Sequence, residues 1–217
     1  MDTIKVIITG ATGMVGEGVL MECLQNPIVS HVLLLGRRHY DLSHPKLKEL
    51  IVGDFFHVDE KAEQLKGYDA CFYCAGVSSI GKKEAEYTQI TYDTTLHVAK
   101  VLRGLNPNMV FDYVTGQATD STEKGRLMWA RVKGKTENDL MALPFKAQYN
   151  FRPGFMKPFK EQKNVPVFLK PIIFLYPKFF PKGVLTMQEV GRAMINTVVK
   201  GYHRQVLEVK DIKELAK

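Results

Sequence analysis

Short apolar runs alternate along the first 150 positions with longer stretches in which apolar residues recur at helical spacing. The runs predict strands over 5–9, 31–35, 49–52, 69–74, 109–114 and 147–151. The periodic stretches predict helices over 14–25, 84–103 and 125–143, and a short one over 59–66. Asn26 with Pro27, Gly104 with Pro107, and Pro144 supply the stops. Strands that are apolar throughout are covered on both faces, as in a parallel sheet. Strand–helix alternation at this spacing predicts an α/β fold of Rossmann type, a doubly wound parallel sheet.

The texture changes after Arg152, Pro153 and Gly154: residues 156–183 are rich in lysine, proline and aromatic side chains. A capping box at Thr186 and Glu189 opens a last helix with Met187, Val190, Met194 and Val198 on one face. We therefore expect one domain in two parts, a Rossmann core over 1–155 and a basic C-terminal lid or substrate region over 156–217. The apolar, proline-rich stretch over 165–177 has three readings: a lid over the substrate, a dimer contact, or a peripheral membrane patch. The long helices over 84–103 and 125–143 offer a further face for a homodimer.

Charge sharpens this division. Residues 1–150 hold 17 Lys and Arg against 18 Asp and Glu, whereas residues 151–217 hold 13 against 5. A basic C-terminal third points to an anionic or amphipathic small-molecule substrate, or to a solvated basic face, with no nucleic acid expected. With 45% hydrophobic and 24% charged residues the chain is neither disordered nor rich enough in apolar runs to span a bilayer as a helix. Three cysteines and a strand pattern from the first residues lead us to expect a cytoplasmic location. Cys71 and Cys74 lie three apart in an apolar strand, so they face opposite ways and do not make a redox pair. The six histidines show no metal-ligand spacing, and no metal site is expected.

The chemistry lies in a glycine-rich turn. Gly10, Gly13 and Gly16 stand between the first strand and the first helix, with Thr12, Met14 and Val15 among them. The first glycine permits the tight turn, the second lets the backbone approach a pyrophosphate, and the third allows close packing. The helix N-terminus adds amide donors and a positive dipole end. At the end of the second strand, where NAD binders carry Asp or Glu, this chain has Gly36, Arg37 and Arg38. The missing carboxylate and the guanidinium donors favour a 2′-phosphate, so the cofactor expected is NADP rather than NAD.

With Gly53, Asp54 and Phe55, Cys74 to Gly76, Lys133 and Arg152 to Gly154, this turn resembles the short-chain dehydrogenase/reductase superfamily over residues 4–155. It is similar in particular to the atypical NAD(P)-binding branch, the NAD-dependent epimerase/dehydratase-like proteins. The resemblance implies that Asp54 meets the adenine, that Phe55 lies in the cofactor site beside it, and that Cys74, Ala75 and Gly76 pack along the cofactor. It implies as well that Pro153, Gly154 and Phe155 lie beside the nicotinamide. The superfamily's catalytic signature is Tyr-x-x-x-Lys with an upstream hydroxyl. Lys133 fits the lysine, Thr115 fits the hydroxyl, and Trp129 occupies the tyrosine position. An indole donates but does not titrate, so it is no general acid. Two functions stay open: an NADP-dependent oxidoreductase or epimerase of atypical type, and a non-catalytic NADP-sensing or interaction module.

Overall fold

The computed structural model describes residues 3–166 and 183–217. Among these, the apolar runs form β1 (Ile4–Thr9), β2 (Val29–Gly36), β3 (Leu47–Ile51), β4 (Ala70–Tyr73), β5 (Val110–Val114) and β6 (Ala147–Phe151). Two short strands follow, β7 (Phe155–Lys157) and β8 (Val184–Thr186), and then β9 (Val206–Leu207). The main sheet runs β3-β2-β1-β4-β5-β6-β9, every pair parallel, and β7 and β8 pair separately. The order reverses between β1 and β4, the place at which open parallel sheets leave a crevice at their C-terminal edge.

Alternation along each strand divides the core in two. Val6, Ile8, Ala70, Phe72 and Val110 face α1 (Met14–Gln25) and α5 (Met187–Val199). Ile7, Cys71, Tyr73, Phe111 and Tyr113 face α3 (Thr94–Leu105) and α4 (Met128–Met141). Each buried Val, Ile or Phe among these contributes about 1.5–3 kcal/mol relative to exposure, which is what holds both helical layers to the sheet. Cys71 and Cys74 fall on these opposite faces, and both are free thiols.

Three elements depart from the sequence pattern. The helix expected over 84–103 is α2 (Glu84–Thr88), a π-helical turn over Gln89–Asp93, and then α3. The helix expected over 59–66 is a kinked 3-10 stretch, Phe55–Leu65, that begins earlier because the Asp54 carboxylate accepts from the Phe56 amide at 3.1 Å. The helix expected from 125 starts at Met128, since Gly125 donates its amide to Asp120 at 2.6 Å in a preceding loop.

In the C-terminal part, α5 opens on the expected capping box, with Met187, Val190 and Met194 fully buried against α1. The last helix, α6 (Val209–Leu215), buries Ile212 and Leu215 in the same cluster, and β9 closes the sheet. These residues are part of the core and its layer. Most of the stretch over 165–177 lies outside the described residues.

Candidate cofactor and catalytic site

The glycine turn takes the shape its spacing implies. Gly10 has φ +74, a left-handed conformation that side chains resist. A Cβ there would lie 2.6 Å from the Cys74 carbonyl, so the loops leaving β1 and β4 touch. The Ala75 amide donates to Thr9 Oγ1 at 3.1 Å and fastens the same contact. A Cβ on Gly16 would strike the Gly10 carbonyl, and only glycine lets α1 start this close to the turn. Gly13 is the N-cap, with no side chain capping the helix. No side chain caps this end of α1, where Met14, Val15 and Gly16 form the first turn, and an uncapped helix N-terminus suits an anion.

A cavity of about 490 Å³ opens at this edge. It brings together Gly10, Thr12, Gly13, Arg37, Arg38, Asp54, Phe55, Cys74, Ala75 and Gly76, all named from the sequence. Arg37 and Arg38 are exposed at its rim. Gly13 and Gly76 are exposed, and a Cβ on Gly76 would meet nothing within 4 Å, so the walls leave room along the backbone. The cavity is also lined by residues that the sequence reading missed. Gln89, Ile90 and Thr94 enter it from the π-helical turn and the start of α3, a kind of distortion frequent at functional sites. Tyr40 and Glu49 also line it: Glu49 accepts from the Tyr40 amide at 2.7 Å and contacts His39 at 2.5 Å. Glu17, buried in the first turn of α1, accepts from the Tyr40 hydroxyl at 2.9 Å and from the amides of Lys163 and Asn164 at 3.0 and 2.7 Å. This clasp ties residues 162–164 to the glycine turn.

Met14, Val15 and Gly16, in the first turn of α1, do not line the cavity, and the other expected residues form a second group beyond β5, outside its walls. Lys133, on α4, donates from Nζ to the Thr115 carbonyl at 3.0 Å. Burial pushes its ammonium down from 10.5 to about 8, with the Glu137 carboxylate opposing the shift. The Thr115 hydroxyl stands 2.6 Å from Glu137 Oε1 and 3.2 Å from the Phe151 carbonyl. Glu137 has no exposed side-chain surface and is held by Arg152, whose Nε lies 3.1 Å from both its oxygens. Arg152 also reaches Ser121 Oγ at 2.5 Å and Glu208 at 3.5 Å. Neither Glu137 nor the pairing of Arg152 was foreseen. Pro153 is buried, a Cβ on Gly154 would lie 2.8 Å from Gln117 Oε1, and Phe155 opens β7. Trp129 sits one turn before Lys133 on α4, half-buried.

Other proton donors near Thr115 are unsuited. Tyr113 is buried beside Tyr73, 6.0 Å between ring centroids, and burial drives its phenol well above the ordinary range. Asp120 caps its own loop, and hydrogen bonds from Thr122 and Gly125 hold its carboxyl below the usual value. Burial brings the Lys133 ammonium down to about 8, within reach of neutral pH.

Residues 6–125 match the NAD dependent epimerase/dehydratase family. The chain is 26% identical to Protein HTATIP2 of Rattus norvegicus over 100% of its own length and 91% of that protein's. It is 26% identical to Protein fmp52, mitochondrial, of Emericella nidulans over 74% of its length and 70% of that protein's. Among solved structures it is similar to the ADP-L-glycero-D-manno-heptose-6-epimerase of Helicobacter pylori, with a TM-score of 0.71, 14% identity, and coverage of 100% and 81% of the two chains. It is similar as well to a short chain dehydrogenase of Burkholderia cenocepacia in complex with NADP, with a TM-score of 0.63, 13% identity, and coverage of 98% and 92%. These likenesses place the fold with the Rossmann epimerases. The expected cytoplasmic location is corrected here: several further fungal relatives are also named as mitochondrial proteins, and a reducing cysteine count does not separate the two compartments.

Proposed function

We propose, because the chain belongs to the NAD dependent epimerase/dehydratase family, that it binds a nicotinamide dinucleotide and acts as an oxidoreductase or epimerase of atypical type. The observation that carries this reading is the 490 Å³ cavity at the β1/β4 crossover, floored by an uncapped helix N-terminus. The first-turn amides of α1 would hold the pyrophosphate, and Asp54 would meet the adenine. Arg37 and Arg38 would take a 2′-phosphate, so NADP is preferred to NAD. When bound, the cofactor supplies hydride transfer at its nicotinamide ring.

The chain's own contribution lies at the end of β5. Lys133 holds a proton at Nζ near neutral pH and would hold the nicotinamide ribose beside Pro153, Gly154 and Phe155. With Trp129 in the tyrosine position, Lys133 is the general acid that remains. Losing a positioned phenol costs about 10²–10⁴-fold, so turnover is slow on ordinary carbonyls. The substrate class is a small anionic or amphipathic molecule, and the names of the fungal relatives support a mitochondrial setting.

A second reading, a non-catalytic NADP sensor, is favoured by one observation. Glu137 engages the Thr115 hydroxyl, which the superfamily signature would turn toward substrate. The test is NADPH oxidation across aldehydes, ketones and sugar nucleotides with wild type, Lys133→Met and Trp129→Tyr. The catalytic reading expects slow wild-type turnover, abolished by Lys133→Met and raised by Trp129→Tyr. Cofactor binding without turnover in all three would instead establish the sensor.

A further inference from the structure

The opposite, N-terminal edge of the sheet carries a second concavity of about 270 Å³, roughly half the volume of the cofactor cavity. Its walls include Lys5, His31, Lys46, Lys48, Lys66 and Tyr68. Lys5 on β1 is the register partner of His31 on β2, and Leu33, two residues on, pairs with Lys48 on β3. Register partners in parallel strands share a face, as do alternate residues along one strand. Three basic side chains thus stand on one face of three neighbouring strands, Lys5 and His31 side by side about 4.8 Å apart and Lys48 one strand over and two residues further along. Lys46 and Lys66 come in from the segments flanking β3 and β4.

Basic side chains gathered on one face are ordinarily offset by neighbouring carboxylates, and this group lacks that compensation. No carboxylate lines the concavity. Asp69, at its margin, accepts from the Lys5 backbone amide at 2.8 Å, and Glu63, 84% exposed, pairs with Lys66 at 2.5 Å. Lys46 Nζ donates to the Asn26 carbonyl at 2.7 Å. Among the described residues, Lys5 and Lys48 form no ion pair. A concave wall of four lysines, of which Lys5 and Lys48 form no ion pair among the described residues, with the Tyr68 phenol and the Gln64 amide beside them, is complementary to a compact dianion.

We propose that this concavity is a second anion site that binds a phosphate group, carried by a free phosphorylated small molecule or by a lipid headgroup. A phosphate monoester brings close to two negative charges and three strong acceptor oxygens, and lysine binds it as a point charge. A carboxylate brings one charge and is held less well by converging lysines. The site lies at the far ends of the strands from the glycine turn, so it does not compete with the dinucleotide.

The test follows backbone amide resonances of Lys5, His31, Gly67 and Tyr68 in the full chain titrated with inorganic phosphate, pyrophosphate and acetate at matched low ionic strength. Saturable shifts with phosphate and pyrophosphate but not acetate are expected. They should weaken about tenfold in Lys5→Gln/Lys48→Gln and stay unchanged in Arg37→Ala, which alters only the cofactor cavity. Lys48→Gln alone, with an intermediate loss, serves if the double variant folds poorly. Sedimentation with phosphatidylcholine vesicles, with and without phosphatidic acid, separates the sources. Capture that needs phosphatidic acid and both lysines assigns the lipid headgroup, and phosphate binding without capture assigns a free ligand. Absence of saturable shifts in these amides, an equal response to acetate, or affinity unchanged in the double variant overturns the proposal.

Discussion

Removing the Glu137 carboxylate should be among the most damaging single changes in this fold. Glu137→Leu keeps roughly the side-chain volume and leaves Arg152, whose side chain is 11% exposed, without its carboxylate partner. It also takes an acceptor from the Thr115 hydroxyl at 2.6 Å. Breaking a buried ion pair from one side costs about 3–5 kcal/mol, because the surviving charge stays desolvated. Glu208, at 3.5 Å from Arg152 and 43% exposed, recovers little of this. For a chain of this size the loss corresponds to a melting temperature lower by roughly 10 °C. Urea unfolding of Glu137→Leu, Arg152→Met and the double variant measures it. The double variant should recover at least half of the Glu137→Leu loss, since neither charge is then left alone. A Glu137→Leu loss below about 1 kcal/mol, or a double variant as unstable as the two singles added, would refute the reasoning.

Lys133 has its folded pKa depressed from 10.5 to about 8, so the unfolded chain binds the extra proton between these values. Stability therefore carries a penalty below pH 8 that is relieved as pH rises toward 10.5, about 3 kcal/mol in all; Lys133→Met should flatten this rise in pH-dependent urea unfolding, and identical slopes would contradict it. Gly10→Ala combines a positive φ with a contact 2.6 Å from the Cys74 carbonyl, and should cost upwards of about 2 kcal/mol and abolish cofactor binding, read by thermal unfolding and titration. Thr186→Ala removes the cap that accepts from the Glu189 amide at 3.1 Å, and should lower the urea midpoint by the equivalent of about 1 kcal/mol without changing the slope or cofactor affinity.

Much of the fold is legible in the residues because a parallel sheet buried on both faces needs largely apolar runs, and β1, β2, β4 and β5 provide them apart from Lys5, Ser30, His31 and Asp112. The glycine turn is legible for a similar reason: Gly10 and Gly16 are demanded by contacts that no side chain survives. The π-helical turn over Gln89–Asp93 is not, since one extra residue in a helical turn leaves the apolar spacing on either side almost intact. Glu137 was equally hidden. A glutamate in a mixed helix is ordinarily a surface residue, and its burial depends on Arg152, which arrives from β6's end, 15 positions later. The basic concavity escaped for a different reason. Residues 1–150 are nearly neutral in sum, and only the register of β1, β2 and β3 gathers Lys5, His31 and Lys48 on one face. Lys133, Thr115 and Trp129 could be located by their resemblance to the superfamily signature, but the hold of Glu137 on the Thr115 hydroxyl could not.

The central claim is that the cavity at the glycine turn holds a nicotinamide dinucleotide, with Arg37 reading a 2′-phosphate. Calorimetric titration of the wild-type chain and Arg37→Ala with NADPH and NADH tests it most directly. The account predicts one NADPH per chain, bound about tenfold to a hundredfold more tightly than NADH, with most of that preference lost in Arg37→Ala. Equal wild-type affinities would contradict the role of Arg37, and no heat of binding from either cofactor would contradict the site itself.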